Sequence, residues 1–178
     1  MLQCAWVGAW RYVQHYGAYL PAFFLWAGHS TGLSKLLTVR AVAYCTTLMA
    51  GYLAGEWEWN ESISNEQARF LLNLAWLVRV DDTALHRQWL RRMAGDLIKF
   101  QDVSGAIRQM FGTGKEAGKC SPCAPRSNAE YGSGEGPILD HAGNQPISDA
   151  LYTLSFALAG LREAYGATGE VEYAVSIH

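Results

Sequence analysis

Charge is scarce in this chain: 17% of its 178 residues are charged, half are hydrophobic, and the formal net charge is -2. So apolar a chain buries a core rather than staying disordered, and so nearly neutral a one gives no electrostatic reason to expect nucleic acid. Strand-type alternation of apolar and polar residues is nearly absent, which argues against a sheet protein. Long unbroken apolar runs are also missing. The nearest, Leu36 to Ala54, is interrupted by Arg40 and diluted by Thr38, Thr46 and Thr47. A second, Tyr16 to Gly28, is too short to span a bilayer and contains Pro21. Both read as core helices, so no membrane partner is expected. Met1 leads straight into Leu2-Gln-Cys-Ala-Trp without a basic flank or cleavage site, which favours a cytoplasmic location.

Motifs of nucleophile and nucleotide chemistry are lacking as well. The sequence holds no G-x-S-x-G elbow, P-loop, dinucleotide fingerprint or paired-His metal motif. Of four cysteines only Cys120 and Cys123 lie close together, and a structural zinc site needs two more ligands at a spacing that Cys4, Cys45 and the scattered histidines do not supply. The pair reads as loop thiols, with a disulfide or adventitious metal as the alternative; no resident metal or cofactor is expected. His15 and His29 sit on or beside apolar helix and read as core or turn residues.

What is present is a recurrence. A turn signal followed by a helix appears three times, in His29-Ser-Thr-Gly-Leu-Ser-Lys-Leu-Leu, Val80-Asp-Asp-Thr-Ala-Leu-His-Arg-Gln-Trp-Leu and Ala167-Thr-Gly-Glu-Val-Glu-Tyr, each after a nearly uncharged helix. The strongest such helix contains Phe70-Leu-Leu-Asn-Leu-Ala-Trp-Leu-Val. This pattern predicts an all-α chain of stacked helical hairpins, one helix of each buried and its partner amphipathic. Periodicity and breakers place helices over Gln3 to Gly28, Leu33 to Leu53, Ser64 to Val80, Thr83 to Gln101 and Ile147 to Gly166, with a sixth from Glu170. Ser64 with Gln67 makes a capping box, and Gly105 ends the fourth helix. That helix carries His86, Arg87, Arg91, Arg92, Asp96 and Lys99 around an apolar stripe of Leu85, Trp89, Met93 and Leu97. Leu72, Ala75, Trp76, Leu151, Phe156 and Leu158 are the expected core of the inner helices, and Arg69 and Arg79 are expected to pair with acids at the ends of the third.

Connections alternate between short and long. The tight turns lie at one end of the hairpins, so both long loops, the second spanning 112–146, belong at the other end with the N-termini of the inner helices.

Several segments resemble bacterial proteins of the six-hairpin glycosidase-like superfamily. They are Asn73-Leu-Ala-Trp-Leu-Val-Arg-Val-Asp-Asp-Thr-Ala-Leu-His-Arg-Gln-Trp-Leu, Phe100-Gln-Asp-Val-Ser-Gly-Ala-Ile-Arg, Ser127-Asn-Ala-Glu-Tyr-Gly-Ser-Gly-Glu-Gly-Pro-Ile and Asp149-Ala-Leu-Tyr-Thr-Leu-Ser-Phe-Ala-Leu with Ala167-Thr-Gly-Glu. The resemblance covers nearly the whole chain and implies an (α/α)6 toroid whose inner-helix N-termini border a carbohydrate-binding funnel. The chain supplies about three hairpins of that ring, so residues 1–178 are expected to form a single partial toroid domain.

Glycoside hydrolysis needs two carboxyl groups across the scissile bond. The candidates for acid and base are Glu130, Glu135, Asp140 and Asp149, in or beside the second long loop, where Gly132, Gly134 and Gly136 permit sharp turns. Hydrogen bonding that holds the loop, or a plain helix-start charge for Asp149, is the alternative. Trp57 and Trp59, between the acids of the first long loop, are candidates for stacking on a sugar ring or else cover the end of the core. Arg126, Asn128, Tyr131 and His141 complete the candidate substrate-binding set. The expected partner is carbohydrate, met by a glycoside hydrolase-like protein or by a non-catalytic scaffold that binds a glycan or protein. A polysaccharide lyase using Tyr131, His141 and Arg126 is a third reading. The first and last hairpins have no neighbour on one flank, so Phe23, Phe24 and Leu158 are expected to be exposed and to promote self-association.

Overall fold

A computed structural model describes residues 19–32, 35–57, 63–101, 103–107 and 153–175. Six helices make up these segments: α1 (Leu20–Thr31), α2 (Lys35–Leu53), α3 (Ile63–Val80), α4 (Ala84–Ile98), α5 (Ser155–Thr168) and α6 (Val171–Val175). Among the described residues the only pairing of extended type is an isolated bridge between Gln101 and Ile107. The fold is all-α.

Local chemistry sets the helix ends. Pro21 stands in the first turn of α1, where its missing N–H costs nothing. Gly32 and Gly169, both left-handed, close α1 and α5, each donating its N–H to the carbonyl four residues back. The α3–α4 turn relies instead on Thr83, whose Oγ1 accepts the His86 N–H at 3.1 Å. At the end of α2, Gly55 adopts φ 69°, and the Glu56 and Gly55 N–H groups reach back to the Gly51 and Tyr52 carbonyls. This Schellman motif folds the chain back over α2 and carries Trp57 into the core.

Helix directions follow from side-chain contacts. The Ala22 N–H of α1 donates to Asn73 Oδ1 of α3, and farther along the two helices the His29 ring meets Trp76. Between α3 and α5, the Arg69 guanidinium lies over the Phe156 ring, Gly160 touches Leu71, and Arg79 pairs with Glu163. Helices α1, α3 and α5 therefore run parallel. Helices α2 and α4 return antiparallel, since Tyr52 near the end of α2 bonds both Gln67 at the start of α3 and Asp96 near the end of α4. Short turns gather at one end, where Glu170 of the α5–α6 turn bonds Arg91, and Arg87 beside it holds Asp82 of the α3–α4 turn. Helix α3 is central and packs against α1, α2, α4 and α5, most extensively against α5.

Several expectations need correction. The fourth helix ends at Ile98 rather than Gln101, and Gly105 (φ 85°) belongs to a turn beyond it. The fifth runs past Gly166 to Thr168. Ser64 and Gln67 do not form a capping box: α3 already begins at Ile63, and the Gln67 amide donates to Tyr52. On α4, Leu85 is half exposed whereas His86 is buried, its Nδ1 2.7 Å from the Asp81 carbonyl, because the apolar face passes through His86, Trp89, Leu90, Met93, Ala94 and Leu97. On α3 the core face is Phe70, Leu71, Leu74, Ala75, Leu77 and Val78; Leu72 and Trp76 are only partly buried, as are Phe156 and Leu158 on α5. Of the two readings of His29, core or turn, its exposed place in the last turn of α1 fits the second. The helix portions expected over 3–18 and 147–152, with Leu151 and His15, lie outside the described residues.

Candidate functional site

The first turns of α3 are polar yet enclosed. Ser64, Asn65, Glu66 and Gln67 are all buried, as are Arg69 and Asn73 on the next two turns and Thr153 just before α5. Burying polar groups is costly unless they find hydrogen-bond partners, so a polar cluster of this density needs a reason. Its position supplies one. It lies at the helix end opposite the short turns, where α2 and α4 finish and both long connections leave.

Hydrogen bonds tie this end together. Gln67 Nε2 donates to Tyr52 Oη at 2.8 Å, and Tyr52 Oη donates to Asp96 Oδ2 at 2.7 Å. Asp96 also accepts from Lys99 Nζ at 2.6 Å and from Arg92 Nε. Burial opposes the charge on Asp96, but the bonds from Lys99, Tyr52 and Arg92 outweigh it and hold the carboxyl below its ordinary range. The Tyr52 phenol is pushed above its usual value by burial and by Asp96, so it remains a donor. Tyr44 lies near Glu66. Burial, with the Glu66 carboxyl nearby, pushes its phenol up to about 12, so its hydroxyl keeps its proton.

On the α1 side, the Asn73 side chain caps one of the free N–H groups in the first turn of α1. The Tyr19 ring meets Phe156 edge-on at 5.2 Å, and the Arg69 guanidinium lies over the same Phe156 ring, so residues at the starts of α1, α3 and α5 meet. Carboxylate, carboxamide, guanidinium and phenol groups thus gather at one end of three parallel helices. They are enclosed by the surrounding helices, and Tyr52, Gln67 and Asn73 bond across from one helix to another. Among the described residues no three His, Cys, Asp or Glu side chains gather as metal ligands.

Of the residues singled out in the sequence, Trp57 is described. It is 2% exposed, donates Nε1–H to the Leu48 carbonyl at 2.8 Å and packs its ring against Tyr52 and Phe70. Its indole is enclosed by protein, which corrects its candidacy as a sugar-stacking platform: the Gly55 turn places it in the core. Glu130, Glu135, Asp140, Asp149, Trp59, Arg126, Asn128, Tyr131 and His141 lie outside the described residues, as do Cys120 and Cys123. Arg79 pairs with an acid as expected, Glu163 at 3.1 Å. Sequence reasoning missed Glu66 and Asn73. The available signal was that Asn73 is the one polar residue in the run Phe70-Leu-Leu-Asn-Leu-Ala-Trp-Leu-Val and follows Arg69 by four, one helical turn along the same face. No protein-family model, curated protein or solved structure matches the chain.

Proposed function

We propose that the chain is a carbohydrate-active, glycoside hydrolase-like protein, built as part of an (α/α) toroid, that takes a glycan at the end where α1, α3 and α5 begin. The observation that carries this reading is the buried polar start of α3, from Ser64 to Asn73, at the end from which both long connections leave. Sugar recognition calls for convergent hydrogen-bonding side chains fixed on rigid elements, and helix α3 carries six polar side chains between Ser64 and Asn73 at this end. Acid and base would come from Glu130, Glu135, Asp140 and Asp149, with Glu66 as a further carboxylate at the same end. Glycosidase chemistry asks that two of these stand roughly 5 to 10 Å apart.

A second reading, a non-catalytic hairpin scaffold that binds a glycan or a protein, is favoured by the largely apolar exposed surface of α1 and α2. A panel of oligosaccharides tested for binding, for new reducing ends and for unsaturated products separates the readings. Reducing ends that disappear in Glu66→Gln or in a loop-acid variant with intact helicity support the hydrolase. Binding without turnover supports the scaffold, and unsaturated products indicate a lyase. Neither binding nor turnover across the panel would overturn the carbohydrate reading.

A further inference from the structure

The first hairpin differs from the second in what it shows to solvent. Helix α4 presents Arg87, Arg91, Arg92 and Lys99, as an outer helix ordinarily does. Helices α1 and α2 present apolar groups instead: Leu20, Phe23 and Trp26 are 53%, 55% and 44% exposed, and Leu36, Val39 and Leu53 are 56%, 63% and 56% exposed. The Phe23 and Trp26 rings lie 5.7 Å apart and form a continuous aromatic strip. On α2 the exposed hydroxyls of Thr46 and Thr47 turn back onto the Val42 and Ala43 carbonyls, at 2.9 and 3.0 Å, and so leave their methyl groups outward. Lys35 and Arg40 are the only charged residues on the two helices.

The extent of this surface is that of an interface. With 150–250 Å² for each of the aromatic Phe23 and Trp26, less for the four aliphatic side chains, and about half of each exposed, it offers on the order of 400–500 Å² of apolar area. A typical stable interface uses about 800 Å² per partner, and monomers rarely expose patches above a few hundred. The other described surfaces cannot cover it. The exposed faces of α4, α5 and α6 carry Arg87, Arg91, Arg92, Lys99, Arg162 and Glu172, whose charges would be desolvated against Phe23 and Trp26. The described surface with the fewest charges is this hairpin itself, where Lys35 and Arg40 are the charged residues. We propose that the α1–α2 face pairs with the same face of a second copy, giving a two-fold dimer with Phe23 and Trp26 at its centre. The pairing continues the stack on the flank of α1 and α2 that α3 does not occupy, and it does not depend on the carbohydrate reading.

Light scattering on the full chain during size exclusion, at micromolar concentration, should give twice the mass of one chain. Phe23→Glu and Val39→Glu should each raise the dimer dissociation constant by at least about thirtyfold, the effect of losing a central anchor, with helicity unchanged by circular dichroism. Leu85→Glu, on the half-exposed start of α4, should leave the dimer intact. Should the glutamate variants fail to fold, Phe23→Ser serves in their place. A wild-type mass of one chain at every concentration overturns the proposal, and so does a dimer unaffected by the folded variants or weakened equally by Leu85→Glu. Co-sedimentation of a single-mass chain with phosphatidylcholine vesicles would also overturn it and assign the face to lipid.

Discussion

Two tryptophans that look alike in sequence should behave differently when truncated. The Trp57 indole is almost wholly buried, faces Tyr52 and Phe70 with ring centroids 4.7 and 5.5 Å away, and donates its N–H to a main-chain carbonyl. Trp57→Ala removes all of this and leaves a cavity where α2 doubles back, so it should cost about 3–5 kcal/mol. In a chain of this size each kcal/mol lowers Tm by about 2–4 °C, so a drop of about 6–20 °C is expected. Trp57→Phe keeps a ring but loses the hydrogen bond and some volume, for about 1–2 kcal/mol. Trp76 is only partly buried, with the Arg79 guanidinium 5.1 Å from its ring centroid. Trp76→Ala should therefore cost less, about 1–2 kcal/mol. Thermal and urea unfolding of the three variants, alongside glycan binding, provide the assay. An unchanged Tm in Trp57→Ala would refute the core assignment; an unchanged Tm with loss of glycan binding would return Trp57 to the role of a sugar platform.

Glycines on α5 offer a sharper contrast. A Cβ at Gly160 would stand 2.9 Å from Leu71 Cβ, so Gly160→Ala should push α5 off α3 and cost about 1–3 kcal/mol, whereas Gly166→Ala meets only the movable end of Arg79 and should stay within about 0.5 kcal/mol of wild type by urea unfolding. Thr83→Ala removes the cap of α4 and should cost about 1 kcal/mol in the same assay. The hydrogen bond and charge of Arg91 hold the Glu170 carboxyl below its ordinary 4.5. A depressed folded pKa gives stability above that value and loses it as pH falls through the folded one, so Tm should drop below about pH 4.5 more steeply in wild type than in Glu170→Gln.

The hairpin plan was legible because its determinants are local. Gly32, Thr83 and Gly169 specify turns by their own backbone and side-chain chemistry, and the order of short and long connections follows from them. The rotation of α3 was not legible. In the run Phe70-Leu-Leu-Asn-Leu-Ala-Trp-Leu-Val no charged face marks which side meets water, so Leu72 and Trp76 read as core as readily as Leu71 and Leu74. The polar start of α3 misled for the opposite reason. Ser64-Asn-Glu-Gln has the composition of a solvated helix start, and among the described residues the ends of α2 and α4, brought there by the tertiary fold, help to enclose it. Nor was the stacking of the Arg69 guanidinium on Phe156 legible, a ring 87 residues away that no local pattern connects to it. Of the side chains named as candidates from the sequence, the structure describes Trp57, and places it in the core.

The central position of α3 also governs how the stack comes apart. Because α1, α2, α4 and α5 all lean on it, no partial opening exposes its main chain without undoing several interfaces together. Amide protons over 70–78 should therefore exchange with deuterium only at the rate of global unfolding. Those of α6, five residues long and packed chiefly on α5, should exchange first. The hairpin array would then loosen from its margins inward, and the polar end of α3 would be among the last parts to lose its shape.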